Sequence, residues 1–222
     1  MKVVIQEYSS IHSIDTVSNY KMELIAHTGK SKVFRIGDKV YKFVLKKTEF
    51  NKEVKTYKQI EELNIPNIIQ LDNVDVDINM ISMNFYEYNL EEYFANKYDF
   101  EMKPEQIFNI LYKLTLTLGN LHQNNITHGD FKAKNIMLDG DLNPVVIDFG
   151  MSYISNVEND IKKFHFIIYQ LLYKVEYNPS LYNNFKQKIT DIERDFPLIA
   201  KAMKTKDLFN LLKLLKNYIS SD

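Results

Sequence analysis

The stretch that decides the fold is HGDFKAKNIMLDGDLNPVVIDFG, residues 128–150. An acidic residue, Asp130, is followed two positions later by Lys132 and five positions later by Asn135. Two apolar runs then flank a polar turn and lead directly into an Asp-Phe-Gly triplet that begins at Asp148. Short apolar runs around a turn predict a β-hairpin. Such a hairpin would hold Asn135 and Asp148 on the same side of a cleft.

These two motifs, at this separation, resemble the catalytic loop and the Asp-Phe-Gly motif of the protein-kinase-like superfamily. Phosphoryl transfer requires a carboxylate that accepts the hydroxyl proton and oxygen ligands that hold Mg²⁺ against the phosphates. The resemblance therefore implies that Asp130 is the catalytic base and Lys132 a cation near the transferred group. It assigns the metal to Asn135 and Asp148. ATP and Mg²⁺ are the implied cofactors, with Mn²⁺ as a substitute.

The composition is that of an ordinary globular protein. Of 222 residues, 45% are hydrophobic and 26% charged, and the formal net charge is −1. This balance gives no case for direct binding of nucleic acid or an anionic membrane. The absence of cysteine excludes disulfides and thiolate metal sites. The apolar run at residues 3–5 is too short for a signal peptide, and no apolar run of about eighteen residues exists. We expect a soluble, intracellular, cytoplasmic protein.

The genome of origin leaves a trace in the composition. Arg35 and Arg194 are the only arginines among many lysines, and Asn and Ile are abundant. Such usage is typical of an AT-rich genome, which favours a viral or microbial source.

The chain before residue 87 is predicted to be a small β-rich lobe. Gly37-Asp38 marks a turn between the strand-like runs 32–36 and 39–45. An earlier turn within residues 27–32 completes a meander, and in kinases that turn covers the ATP phosphates. The resemblance assigns phosphate binding to four residues of this turn: Thr28, Gly29, Lys30 and Ser31.

The triplet that starts at Gly29 also ends like a Walker A motif. That motif requires a glycine five positions earlier, where this chain has Leu24, and a helix directly afterwards. Residues 33–36 look like a strand instead. The sequence therefore disfavours a P-loop nucleotide site.

Lys42 is the only charge in an apolar run, and a buried ammonium requires a partner. The following segment, residues 49–63, has helical periodicity, and Glu53 falls on its apolar face. We predict an ion pair between these two residues, which in kinases positions the lysine on the α- and β-phosphates. The alternative is an edge-strand lysine that reaches solvent.

Residues 68–75 and 79–85 are predicted strands, and the text that follows resembles the kinase hinge and a short helix. The resemblance assigns Met83 to the back of the adenine pocket. It assigns adenine hydrogen bonding to the backbone of Asn84, Phe85 and Tyr86.

The rest of the chain is predicted to be a reduced helical lobe. Residues 104–122 carry a stripe of Ile and Leu and begin with proline, which indicates a helix. A second helix is expected from Asp160, whose carboxylate, by resemblance, ties it to the backbone of the catalytic loop. His128 is expected to be structural. Two to three further helices are expected in 178–219, with a break at Pro197.

Activation by loop phosphorylation is not expected. Nine residues separate Gly150 from Asp160, which leaves no room for a long activation segment. The Arg that usually follows the catalytic-loop His, and that reads an activation-loop phosphate, is replaced by Gly129.

Among kinase relatives, the sequence is similar to the small kinase/ATPase subunit of the KEOPS complex, which is related to the Rio kinases. The similarity rests on IDFGMS at residues 147–152 and on the short acidic link to Asp160. The basic insert of that family after the third strand is missing, and Lys132 is more typical of serine/threonine kinases. A divergent viral or microbial kinase fits equally well.

The sequence thus predicts an α+β, bilobal kinase-like fold in a single domain. Residues 1–86 would form the N-lobe and residues 87–222 the helical C-lobe, with ATP between them. The predicted function is an atypical, ATP- and Mg²⁺-dependent serine/threonine kinase, with a protein or the chain itself as the acceptor. The alternatives are a small-molecule phosphotransferase, an ATPase that drives a partner complex, and a non-catalytic kinase mimic.

Overall fold

A computed structural model describes residues 21–152 and 156–219. Within them the chain divides into two compact units. The first unit comprises residues 21–54 together with Gln70–Phe85, and the second comprises Lys55–Ile69 together with the described residues from Tyr86 onward. The apolar run at residues 3–5 lies outside the described residues.

The first unit is built on an antiparallel sheet of five strands in the order β1-β2-β3-β5-β4. The strands are β1 (Met22–His27), β2 (Ser31–Ile36), β3 (Lys39–Val44), β4 (Leu71–Asp75) and β5 (Met80–Asn84). The predicted turn at Gly37-Asp38 joins β2 to β3, and Gly37 has a φ of 61°, which favours glycine. The predicted meander is therefore present.

Side chains from three strands of this unit bury a small apolar core. Phe34 on β2 and Phe43 on β3 meet edge to face, with ring centroids 5.8 Å apart, and Met80 on β5 packs with them. The first helix, α1 (Lys47–Glu62), follows β3 directly. Its residues up to Val54 belong to the first unit and those from Lys55 to the second. It buries Phe50, Val54, Tyr57 and Ile60, the apolar face that the sequence predicts.

The second unit is mostly helical, with a small three-stranded sheet in the order β6-β7-β8. Its strands are β6 (Tyr88–Asn89), β7 (Ile136–Leu138) and β8 (Pro144–Val146). Its helices are α2 (Leu90–Phe94), α3 (Pro104–Gln123), α4 (Val157–Tyr173), α5 (Pro179–Asn183), α6 (Phe185–Asp195), α7 (Pro197–Thr205) and α8 (Leu208–Ile219). A one-turn 3₁₀ helix covers Ala133–Asn135.

Helix α3 is the centre of the second unit. Its apolar stripe is completely buried: Ile110, Leu111, Leu114, Leu118 and Leu121. Burying each of these side chains contributes roughly 1.5–3 kcal/mol. The stripe therefore anchors α3 in the core of the second unit.

The predicted α+β class is confirmed, and the predicted helices and the β7–β8 hairpin are present. Four helices occupy the segment after residue 178, instead of the two or three predicted, although the break at Pro197 is present. The pairing strand β6 has no counterpart in the prediction. No helix in residues 21–152 and 156–219 has both the length and the apolar character needed to cross a bilayer.

Candidate functional site

The segment that contains Asp130 is fixed by a buried carboxylate. Asp160, in the first turn of α4, has no exposed surface. Its Oδ2 accepts a hydrogen bond from the backbone N–H of His128 at 2.7 Å, and its Oδ1 accepts one from Gly129 at 2.9 Å. Such charge-assisted bonds are about twice as strong as neutral ones. The tie between Asp160 and this loop backbone, predicted from the sequence, is present.

The His128 imidazole links three parts of the same loop. Its Nδ1 can only accept the hydrogen bond from the backbone N–H of Asp130 at 3.2 Å. The proton therefore lies on Nε2, which donates to the carbonyl of Ile147 at 2.9 Å. Complete burial lowers the pKa of His128 and outweighs the opposing effect of nearby carboxylates. The ring is a neutral structural element, as predicted.

Gly129 has a backbone that only glycine fits. Its φ is 83°, and a Cβ atom built on it would lie 2.2 Å from the carbonyl oxygen of Met151. The residue after His128 is therefore restricted both by conformation and by space. An arginine at this position would displace the backbone at Met151.

The Asp130 carboxylate is held by two lysines. Lys132 Nζ lies 2.7 Å from Oδ2, and Lys163 Nζ donates to Oδ1 at 2.8 Å. Partial burial raises the pKa of Asp130, but hydrogen bonds from Lys132 and Lys163 lower it more, so the net shift is downward. Asp130 is thus held as a carboxylate, the form that can accept a proton.

Lys163 is a site residue that the sequence reasoning missed. It lies on α4, three residues after Asp160, and also reaches the carbonyl of Gly129 at 3.3 Å. Residues three apart on a helix share a face. Since Asp160 was already expected to face the loop, this spacing is the signal that could have identified Lys163.

Asn135 and Asp148 are joined through the β7–β8 hairpin. Asn135 Nδ2 donates to the Asp130 carbonyl at 2.9 Å and lies 3.3 Å from Asp130 Oδ2. The Asn135 carbonyl accepts from the N–H of Ile147, the neighbour of Asp148, at 3.0 Å. The Asp148 N–H donates to the Tyr57 hydroxyl at 3.1 Å. The structure therefore bonds Asn135 directly to the predicted base Asp130, and it connects Asp148 to Asn135 only through the backbone of its neighbour Ile147.

The donor set fits a hard cation. The amide of Asn135 uses its nitrogen on Asp130, which leaves its oxygen as the ligand atom, and Asp148 supplies carboxylate oxygen. Mg²⁺ is characteristically held by one or two such protein oxygens together with phosphates and water. No group of three or more His, Asp and Glu that could hold a metal occurs among the described residues.

The ion pair predicted in the first unit is present. Lys42 Nζ on β3 donates to Glu53 Oε1 on α1 at 2.7 Å. Both side chains are buried. The edge-strand alternative for Lys42 is therefore wrong.

The turn proposed to hold phosphates is closed by its own hydrogen bonds. Thr28 Oγ1 accepts from the N–H of Lys30 at 3.2 Å and from that of Ser31 at 3.1 Å. The Thr28 N–H donates to the Ser31 carbonyl at 2.9 Å. A Cβ atom on Gly29 would meet nothing within 4 Å. If the backbone N–H groups of Thr28, Lys30 and Ser31 bound phosphate, they would have to give up these hydrogen bonds within the turn.

The segment predicted as the adenine-binding hinge also makes hydrogen bonds within the protein. Met83 is buried in β5, and Asn84 Oδ1 accepts from Lys39 Nζ at 2.7 Å. The Phe85 N–H donates to the Asp38 carbonyl at 2.8 Å. Met83, Asn84 and Phe85 belong to the first unit, whereas Tyr86 begins the second. Adenine recognition by Phe85 would have to use its carbonyl.

The chain is similar in sequence to known protein kinases and to a subunit of the KEOPS complex. A family model described as the protein kinase domain matches residues 23–174. The serine/threonine-protein kinase PrkC of Bacillus subtilis (strain 168) is 33% identical over 105 residues, covering 46% of this chain and 16% of the relative. The EKC/KEOPS complex subunit bud32 of Dictyostelium discoideum is 34% identical over 89 residues, covering 39% of this chain and 35% of the relative.

A third relative aligns over more of the chain. Calcium-dependent protein kinase 6 of Plasmodium berghei (strain Anka) is 29% identical over 222 residues, covering 80% of this chain and 14% of the relative. The chain thus spans about a third or less of each of these relatives. The residues matched by the family model include the whole stretch 128–150 with its hydrogen-bonded side chains.

Proposed function

Because the chain belongs to the protein kinase domain family, we propose that it transfers the γ-phosphoryl group of ATP to a serine or threonine hydroxyl. The acceptor would be a protein, with this chain among its own substrates. The observation that carries the proposal is the loop in which Asp130 is held as a carboxylate, bonded to Asn135 and anchored through Asp160. These are the groups that phosphoryl transfer to a hydroxyl requires.

In this proposal Asp130 orients the acceptor hydroxyl and takes its proton as the oxygen attacks the γ-phosphorus. Because its pKa is lowered, Asp130 is ionised before the reaction and can accept a hydrogen bond from the acceptor hydroxyl. Lys132 lies within reach of Asp130 and would neutralise charge that develops on the transferred group. Lys42, held by Glu53, would contact the α- and β-phosphates.

Asn135 and Asp148 would hold Mg²⁺, and Mn²⁺ could take its place. When bound, the metal would neutralise phosphate charge and orient the γ-phosphoryl group. The residues of this chain contribute the ligand oxygens and keep them fixed, since the Asn135 amide is bonded to Asp130 and its backbone to Ile147.

We further propose that activity does not depend on loop phosphorylation. Only nine residues separate Gly150 from Asp160, and Gly129 stands where a phosphate-reading arginine would be. The backbone at Gly129 excludes any side chain. The loop backbone is instead held by Asp160, whose carboxyl oxygens accept hydrogen bonds from the N–H groups of His128 and Gly129.

The test is incubation of the purified protein with γ-labelled ATP and Mg²⁺, with labelled protein and released phosphate both quantified. Casein would serve as a general protein acceptor. Wild type should label protein, and Asp130→Asn should reduce labelling by about 100-fold or more. Asp141→Asn, an exposed turn carboxylate, is the matched control and should retain labelling. Equal labelling by wild type and Asp130→Asn would rule out the assigned base.

A second candidate is ATP hydrolysis that drives a partner complex. It is favoured by the similarity to the KEOPS subunit bud32. In the same experiment it predicts phosphate release without labelled protein. Nucleotide binding with neither product would instead indicate a non-catalytic kinase mimic.

A further inference from the structure

Asp130 lies in the wall of a cavity of about 380 Å³ within the second unit. The charged side chains of its wall are Glu91, Asp130, Lys132, Lys134 and Lys163. Three of them are cationic and two are anionic, so the wall carries a net positive charge. Tyr177 and Tyr182 add aromatic surface. This volume is in the range of pockets that enclose a small ligand or a few residues of a peptide.

Both oxygens of the Asp130 carboxylate are engaged by cations. Lys132 takes Oδ2, which is also 3.3 Å from Asn135 Nδ2, and Lys163 takes Oδ1 at 2.8 Å. An incoming hydroxyl that donates to Asp130 therefore approaches an oxygen that already accepts from a lysine. Lys163 is partly exposed to the cavity, with 21% of its side-chain surface accessible, so a group inside the cavity can reach it.

We infer that this cavity selects an acceptor whose hydroxyl lies next to a carboxylate or phosphate, and that Lys163 reads that anionic group. The inference rests on the proposed phosphoryl transfer. The neighbouring anion accepts a hydrogen bond from Lys163 Nζ, which lies 2.8 Å from Oδ1 of Asp130, while the hydroxyl donates to that same carboxylate. Lys134, which has no hydrogen-bonding or ion-pair partner for its ammonium within the described residues, adds long-range attraction.

The proposed phosphoryl transfer involves only the acceptor hydroxyl, ATP and Asp130. The acceptor oxygen forms a bond to the γ-phosphorus of ATP, and the bond from that phosphorus to the bridging oxygen breaks. ADP leaves with that electron pair, and the hydroxyl proton passes to Asp130. Lys163 is a specificity-determining residue in this scheme, because it contacts the neighbouring anion of the acceptor.

Two sources of the anion can be separated with matched acceptor pairs. One pair is a peptide with a single serine flanked by glutamates, and the same peptide with glutamines. The other pair is glycerol 2-phosphate and glycerol. Wild type should prefer the anionic member of at least one pair by about tenfold in kcat/KM, on the scale of one charge-assisted hydrogen bond. The pair that shows the preference identifies the source.

Lys163→Gln should lower that preference to about twofold, and Lys134→Gln should reduce it less. Lys213→Gln, an exposed lysine on α8, is the matched control and should keep the wild-type preference. Thermal unfolding of each variant separates a folding defect from a change in selectivity. Loss of rate with both members of a pair and an unchanged ratio would overturn the role of Lys163. No preference by wild type in either pair would overturn the inference itself.

A binding measurement keeps the two proposals distinguishable. The two peptides, with alanine in place of serine and a fluorescent label, are titrated with protein and followed by anisotropy. Tighter binding of the glutamate peptide to wild type than to Lys163→Gln supports the inference even if no acceptor is phosphorylated. If peptides and glycerol are phosphorylated without regard to charge and the two labelled peptides bind equally, only the inference fails.

Discussion

Lys42 Nζ and Glu53 Oε1 form an ion pair of 2.7 Å, in which 11% of the lysine and 3% of the glutamate side chain are exposed. Desolvation of two charges opposes their attraction, so the net stabilisation by such a pair is small. Removing one partner is costly because the other charge stays buried. The pair is therefore easier to explain by a function for Lys42 than by stability.

Glu53→Gln should destabilise the protein by about 3 kcal/mol, since the buried Lys42 ammonium loses its ion pair with Glu53. The double variant Lys42→Met with Glu53→Leu should recover most of that loss, because both charges are removed and the packing volume is kept. Urea unfolding measures both. If Lys42 also holds ATP phosphates, the double variant should fold well and show little phosphoryl transfer. Full activity of a stable double variant would exclude a catalytic need for Lys42.

Gly129→Ala should destabilise the protein by about 2 kcal/mol or more, because the new Cβ would meet the Met151 carbonyl and φ is positive. Gly119→Ala is the matched control, since Gly119 is inside α3 and its Cβ would meet nothing within 4 Å. That control should stabilise by roughly 0.5–1 kcal/mol through helix propensity. Differential scanning calorimetry compares the three proteins. Tolerance of Ala at position 129 would contradict the described backbone.

Asp148→Asn should abolish metal-dependent turnover, with a loss of at least about 100-fold, while the protein stays folded. Asparagine is the better replacement than alanine, since Asp148 has a φ of 68°, a conformation that Asn tolerates. Mg²⁺ titration of nucleotide binding supplies a readout besides activity. Turnover and Mg²⁺ dependence equal to wild type would remove Asp148 from the metal site.

His165 should make stability depend on pH. Burial, with a smaller contribution from Lys206, lowers its pKa to about 4 from 6.5. Between these values the unfolded chain binds a proton that the folded chain does not, so stability falls as pH falls from 6.5 towards 4. Wild type should lose about 1–2 kcal/mol more than His165→Gln between pH 7.5 and pH 5. Parallel urea titrations at the two pH values measure the difference, and equal losses would place His165 in a solvated environment.

Much of this architecture could be predicted, and the reason is physical. The membership in the kinase-like superfamily predicted from residues 128–150 is confirmed by the family match. Helix α3 was predicted to within one residue because its Pro start and its apolar stripe agree. The Lys42–Glu53 pair followed from the cost of burying a lone charge. In each case local pattern and burial point to the same structure.

Other features depend on information that the local pattern lacks. Strand β6 has only two residues, which is too few to show a periodic pattern of apolar side chains. It is defined by its antiparallel pairing with β7, in which Tyr88 lies opposite Leu138. Lys163 looks like any polar helix residue until α4 is fixed against the loop. The Thr28 hydroxyl accepts hydrogen bonds from backbone N–H groups of the turn that the prediction assigned to phosphate binding. The residue types in the turn do not reveal that a side chain takes up these N–H groups.

The boundary between α5 and α6, which lie one residue apart, also depends on information that the local pattern lacks. Asn178 caps α5 through bonds to the N–H groups of Ser180 and Leu181. Asn184 ends α5 and leads directly into α6 without a proline or glycine to mark the boundary. A capping side chain therefore sets the start of α5, whereas no side-chain cap marks the boundary between α5 and α6.

Helix α4 carries both the residue that anchors the loop and residues that line the cavity beside Asp130. Asp160, Lys163, Ile167 and Gln170 recur at the three- and four-residue spacing of one helix face. An insertion or deletion of one residue here would rotate this whole face by about 100°. A change of length within α4 would therefore separate the residue that anchors the loop from the residues that line the cavity, whereas a substitution at one position would leave the anchor in place.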